Sequence, residues 1–294
     1  MIRQRLGKDL LFFDGGMGTL LQEKGLAPGE LPETWNLTHS EEIYKIHRQY
    51  IEAGSDIILT NTFGANALKF HDDSCSLEEI IKAAVSHVKK AEREALLQTG
   101  DERKIYTALD VGPTGKLLKP MGDLEFETAY EAFKEVVILG EQAGADLIHI
   151  ETMSDTYELK AAVLAAKENT SLPVFATVIF DERKKLLTGA DVSSVVALLE
   201  GLGVDALGIN CAMGPKEMLP VLEELIKYSS VPIIVKPNAG LPVITETGAA
   251  VYSMGEEEFA RNVQHLKECG ASVIGGCCGT SPDYIRRVRE SFAE

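Results

Sequence analysis

The chain has 294 residues, and its 45 acidic against 29 basic residues leave a formal net charge of −16. That balance excludes the basic footprint of a nucleic-acid or anionic-membrane surface, and no stretch is long and apolar enough to span a bilayer. Five cysteines, odd in number and sparse for the length, fit a reducing compartment rather than a disulfide framework, so a cytoplasmic protein is expected.

The N-terminal segment "MIRQRLGKDLLFFDGG" holds only a four-residue apolar run before Asp14, too short for a signal peptide. That run, "LLFF" (10–13), reads as a first strand ending in Asp14-Gly15-Gly16. "DIILT" (56–60) reads as a second, ending in Thr60-Asn61-Thr62. Ser76 with Glu79 predicts a capping box opening the helix "IIKAAVSHVKKAEREALL". "KIYTALDV" (104–111) carries Asp110 near its end and leads into a long segment, 112–127. "DLIHIE" (146–151) ends in Glu151-Thr152, and Asp155 with Glu158 predicts a second capping box. Three strands follow: "PVFATVIF" (173–180), "ALGIN" (206–210) ending in Asn210-Cys211, and "PIIVK" (232–236) ending in Lys236-Pro237-Asn238. A second long segment, 238–255, precedes "ASVIG" (271–275) and the glycine-flanked pair Cys277-Cys278. Ser281-Pro282 then supplies an N-cap and a first-turn proline for the last helix.

These apolar, β-branched runs are near-continuous rather than alternating, as parallel strands covered on both faces require. The phrases "EAGSD", "QAGAD", "GLGVD" and "ECGAS" each put glycine between a helix end and the next strand, where a left-handed residue ends the helix. Eight strand–helix alternations without a composition break predict a (β/α)8 TIM barrel forming a single domain, 1–294. A doubly wound open sheet is the alternative.

In a barrel the active site lies at the C-terminal strand ends. Cys211, Cys277 and Cys278 fall there together, whereas Cys75 and Cys269 sit in a loop and near a helix end. The sixth and eighth strands are separated by one strand, so inward side chains from both can converge over the mouth. Consecutive strand residues face opposite sides, and Gly275, Gly276 and Gly279 are expected to supply the backbone turns that let both thiols face one point. Three thiolates make a zinc site with one coordination position open, the catalytic pattern; inert packing or a vicinal disulfide are the rival readings of the pair. Asp14 and Glu151 are placed at neighbouring strand ends, where two carboxylates beside glycine-rich turns suit an amino-acid ligand, or else a structural pairing. His149 reads as a core histidine rather than a fourth zinc ligand. A phosphate-binding barrel is a further possibility, since turns after the last two strands often hold phosphate.

Together "DGGMGT" (14–19), "NTFGAN" (61–66), "GPTG" (112–115), "IET" (150–152), "GINC" (208–211) and "GGCCGT" (275–280) resemble the homocysteine S-methyltransferase family over nearly the whole chain. "ETWNLTHSEEIYKIHRQYIEAGSDIILTNTFGAN" and "KPNAGLP" look most like the N-terminal homocysteine-binding module of its cobalamin-dependent methionine synthases. The resemblance implies that zinc is held by Cys211, Cys277 and Cys278 and that homocysteine is held by Asp14 and Glu151, with the loop backbone around Gly15, Gly16 and Thr62. It implies that homocysteine is activated as a zinc thiolate and methylated to methionine. The expected donor is a methylcorrinoid (methylcobalamin), carried by a separate corrinoid protein or cobalamin domain and not bound within this chain. Whether the chain is a stand-alone enzyme or a fragment of a longer one stays open. S-methylmethionine- or betaine-dependent transfer is the alternative activity, and a non-catalytic zinc- or homocysteine-binding barrel the alternative class.

Overall fold

The computed structural model describes residues 1–70, 75–100, 102–244 and 250–293. The apolar runs form β1 (Leu11–Phe12), β2 (Ile57–Leu59), β3 (Tyr106–Val111), β4 (Leu147–Met153), β5 (Val174–Val178), β6 (Ala206–Asn210) and β7 (Ile233–Lys236). An antiparallel hairpin, β8 (Pro242–Ile244) and β9 (Ala250–Tyr252), separates them from the last barrel strand, β10 (Val273–Ile274). The parallel sheet runs β1-β10-β7-β6-β5-β4-β3-β2. A parallel bridge from Phe13 to Ile57 and a 2.7 Å bond from the Asp56 N–H to the Phe12 carbonyl join its two edges. This is the (β/α)8 TIM barrel.

The loop after β1 carries two short helices, α1 (Gly18–Glu23) and α2 (Trp35–Thr38). The outer ring is α3 (Ser40–Ala53), α4 (Leu77–Thr99), α5 (Phe126–Ala143), α6 (Thr156–Asn169), α7 (Val192–Gly201), α8 (Pro215–Tyr228), α9 (Glu256–Glu268) and α10 (Pro282–Ser291). Among the described residues no helix is long and apolar enough to cross a membrane. The α4 capping box forms as its spacing predicts: the Ser76 hydroxyl accepts the Glu79 N–H, and the Glu79 carboxylate accepts the Ser76 N–H at 2.9 Å. The second box does not close. Asp155 caps α6 through the Tyr157 N–H, but Glu158 turns instead to the N–H and hydroxyl of Thr114, at 2.7 and 2.5 Å. A buried partner 44 residues away outcompetes the local bond. The Ser281 side chain makes no cap bond, while Pro282 occupies the first turn of α10. Gly54, Gly144, Gly203 and Gly270 all adopt positive φ, as helix-ending residues do.

Leu11, Phe13, Ile57, Leu59, Tyr106, Ala108, Leu147, Phe175, Ala206, Ile234 and Val273 fill the barrel. Their neighbours Phe12, Leu109, Ile148, Val174, Leu207, Val235 and Ile274 face the helices. Both faces are buried, which is why the strands read as continuous apolar runs. Side chains alternate with period two, so the inward series continues through Ala108 to Asp110, through Leu147 to His149 and Glu151, and through Ile234 to Lys236. The barrel interior therefore changes from apolar to charged at its C-terminal end.

Candidate active site

A cavity of about 420 Å³ opens at that end, lined by Asp14, Gly15, Gly16, Asp110, Glu151, Lys236, Cys211, Cys277 and Cys278, among others. Cys211 follows β6 with φ 56°, and Ala212 follows it with φ 59°; non-glycine residues occupy this left-handed region rarely and at a cost. Cys277 and Cys278 lie beyond β10 in a turn bonded on both sides. On one flank the Gly276 N–H donates to the Asp14 carbonyl at 3.0 Å; on the other the Cys277 N–H donates to the Pro237 carbonyl at 2.9 Å. Of the three flanking glycines only Gly279 has positive φ, 79°. Gly275 is required by close approach instead, because a Cβ there would meet Phe13 Cβ at 2.6 Å. The strain expected of the glycines thus falls largely on Cys211.

The three sulfurs lie within 4.8 Å of one another, with Cys211 Sγ 3.8 Å from Cys278 Sγ. Tetrahedral zinc with bonds of about 2.3 Å needs sulfurs about 3.8 Å apart, so the donor set fits that ion. Cys277 and Cys278 are free thiols, which removes the vicinal-disulfide reading. Hydrogen bonding among the three sulfurs is the largest influence on each and acts in both directions, while burial raises all three. The net result pushes Cys211 up to about 11, Cys278 up to about 12, and Cys277 well above the ordinary thiol range. Without a cation these are protonated thiols; a metal is what holds such a cluster as thiolates.

The carboxylates share the cavity with the sulfurs. Asp14 and Glu151 line the same cavity but do not occupy neighbouring strands: β2 and β3 lie between them. Glu151 Oε2 is 2.6 Å from Lys236 Nζ and 3.3 Å from His149 Nε2. Burial acts to raise the Glu151 carboxyl, but the Lys236 ammonium and His149 outweigh it and hold it at about 2. Burial would lower Lys236, yet Glu151 and Asp14 raise it above the usual lysine range. His149 is fully buried against the Phe13 ring, at 4.8 Å between centroids. Burial and Lys236 lower it to about 4, so it is a neutral core histidine and stands outside the sulfur cluster.

Asp14 Oδ2 accepts the Leu59 N–H at 2.8 Å, whereas Oδ1 has no partner among the described residues. Burial pushes this carboxyl up to about 7, with Lys236 and the Leu59 N–H opposing. Its unshifted value is 3.8, so the native state binds this proton more tightly than the unfolded chain does. The associated stability is complete below about pH 4 and is lost as pH rises through 7. Asp14→Asn should accordingly raise the melting temperature of the ligand-free protein at pH 8 and change it little at pH 4. A lower melting temperature at pH 8 contradicts the assignment.

Gly15 and Gly16 both line the cavity. The Gly16 N–H already donates to the Thr280 hydroxyl at 3.1 Å, and a Cβ on Gly15 would meet that hydroxyl at 2.5 Å. The Thr62 side chain is buried and donates to the Asp110 carbonyl at 2.7 Å, which fixes the end of β3, while its neighbours Asn61 and Phe63 line the cavity. Sequence reasoning assigned no role to Lys236, Asp110 or Asn210. Lys236 and Asp110 stood two residues beyond Ile234 and Ala108, and that alternation was the signal. Asn210 clamps the rim by accepting the Thr152 N–H at 2.9 Å and the Thr177 hydroxyl at 2.8 Å.

The fold and site together are those of a TIM barrel whose mouth gathers three sulfurs and buried carboxylates in one cavity. The chain belongs to the homocysteine S-methyltransferase family, whose model matches residues 11–292. Two relatives are named methionine synthase: that of Mycobacterium leprae is 35% identical over 99% of this chain, and that of Mycobacterium tuberculosis 34% over 98%. The chain spans 25% of the length of each. Among solved structures, the homocysteine methyltransferase MmuM from Escherichia coli, in its metallated form, superposes with a TM-score of 0.83 at 24% identity. The match covers 97% of both chains and reflects a shared fold.

Proposed function

We propose that this chain methylates homocysteine to methionine, with zinc held by Cys211, Cys277 and Cys278 and the amino acid held by Asp14, Glu151 and the backbone around Gly15, Gly16 and Thr62. One observation carries the reading: three sulfurs within 4.8 Å of one another share one cavity with partly unpartnered buried carboxylates. Zinc bound there supplies Lewis acidity that lowers the pKa of a fourth sulfur, so that homocysteine, mostly a protonated thiol at neutral pH, becomes nucleophilic. The residues of the chain do the remainder. The carboxylates receive the substrate ammonium, Lys236 keeps Glu151 ionised, and the bonds from the cysteine turn to β1 and β7 fix where the sulfurs point. The carboxylates and Lys236 are themselves buried, which strengthens the contacts among them.

The donor in this reading is methylcobalamin or another methylcorrinoid, presented by a separate protein or domain. Two considerations support it: the relatives named methionine synthase are about four times as long as the matched region, and a 420 Å³ cavity suits an amino acid but not a corrin ring. A reducing, cytoplasmic setting accords with the free thiols of the cluster. The test is a donor panel on the zinc-loaded protein with homocysteine. Methylcobalamin should yield methionine, while S-methylmethionine and betaine should not. Transfer from only one of the latter two replaces the donor; homocysteine binding without transfer from any donor points to a binding barrel.

A further inference from the structure

We infer that Asp110 is a third carboxylate of the substrate's ammonium site, so that the cavity recognises an unsubstituted primary ammonium through three acceptors. This rests on the homocysteine reading above and extends it. Asp14 and Glu151 are separated by β2 and β3, and Asp110 projects from the end of β3 into the gap between them. It is 6% exposed, lines the cavity, and its Oδ1 has no hydrogen-bond partner among the described residues. Its backbone is held on both sides: its N–H donates to the Thr60 hydroxyl at 3.1 Å and its carbonyl accepts from Thr62. The chain thus fixes this carboxylate in place while leaving it unpaired.

The charges point the same way. Lys236 is already committed to Glu151 at 2.6 Å, which leaves the carboxylates of Asp14 and Asp110 without a cation of their own. Burial, then the charges of Glu151 and Asp14, hold the Asp110 carboxyl well above its ordinary range; an arriving ammonium removes that penalty. A primary ammonium has three N–H donors, and Asp14, Asp110 and Glu151 offer one carboxylate to each. A buried site built for three such bonds rejects a ligand that leaves one acceptor unpaired.

The experiment measures dissociation constants by calorimetry on the zinc-loaded protein, using homocysteine, N-methylhomocysteine and 4-mercaptobutyrate, which lacks the amino group. In the wild-type protein N-methylhomocysteine should bind about 10- to 100-fold more weakly than homocysteine, the worth of one charge-assisted bond. Asp110→Asn should weaken homocysteine by a similar factor, leave 4-mercaptobutyrate unchanged, and retain the full zinc content. Equal weakening of both thiols by the substitution, or equal binding of homocysteine and its N-methyl form, overturns the assignment. The N-methyl comparison needs no variant, so equal binding overturns the assignment even where Asp110→Asn does not fold. If wild-type protein binds homocysteine no better than 4-mercaptobutyrate, the ammonium site as a whole fails, and the homocysteine reading with it.

Discussion

Cys277→Ala is expected to abolish zinc retention and to lower methyl transfer by about a thousand-fold or more, while the barrel stays folded. A tetrahedral site that keeps one position for substrate has no spare ligand. Two remaining thiols, pushed up to about 11 and 12 in the absence of a cation, do not stay ionised at neutral pH without the third. The fold survives because the turn is held by backbone bonds to Asp14, Pro237 and Ala239, not by the sulfur. Cys211→Ala and Cys278→Ala should behave alike, whereas Cys269→Ala, outside the cluster, should change neither zinc content nor rate. Metal content of the purified variants, read beside their circular-dichroism melts, makes the comparison. Full transfer by a zinc-free variant lacking all three sulfurs excludes the mechanism.

The second large effect concerns stability. Lys236 is 1% exposed, stands 2.6 Å from Glu151 Oε2 and lies 4.8 Å from the centre of the Phe13 ring. Lys236→Met removes the cation and leaves Glu151 buried beside a neutral histidine. Breaking such a pair from one side costs about 3–5 kcal/mol, and that loss is expected at pH 7. The sign reverses with pH in an informative way. In the wild-type protein Glu151 is held at about 2, below its unshifted 4.5, so its contribution is present above pH 4.5 and is lost as pH falls through 2. In the variant the uncompensated carboxylate is pushed upward, so acidification towards pH 5 should recover stability by protonating it. Lys236→Met with Glu151→Gln should regain most of the loss at pH 7. A single variant as stable as the parent at pH 7 shows that the pair contributes nothing.

How much of this was legible in the chain depends on the range of the cause. The strands were readable because burial on both faces writes continuous apolar runs, and the barrel followed from their alternation with helices. The three cysteines were readable because each stands at the end of such a run. Glu158 misled because a local spacing matched a capping box while Thr114, brought close only by the fold, held the better bond. Asp14 and Glu151 were placed side by side although two strands intervene, and the residue occupying that interval, Asp110, went without a role. Lys236 read only as a strand end; its parity with Ile234 places it inside the barrel. The 238–255 segment read as one loop, whereas short β-forming stretches on either side pair as β8 and β9; residues 245–249 lie outside the described residues.

The contacts made by the turn after β10 span long stretches of the chain. The Gly16 N–H reaches the Thr280 hydroxyl across 264 residues, and Cys211 meets Cys278 across 67. A chain that ends before the turn after β10 has one sulfur of three, and its Asp14 loop is seated only by Tyr50, Ile57 and Leu59. The carboxylates stand on earlier strands, so the sulfur cluster is completed last, when the turn after β10 reaches the barrel mouth. Any ion held by all three sulfurs would therefore depend on barrel closure.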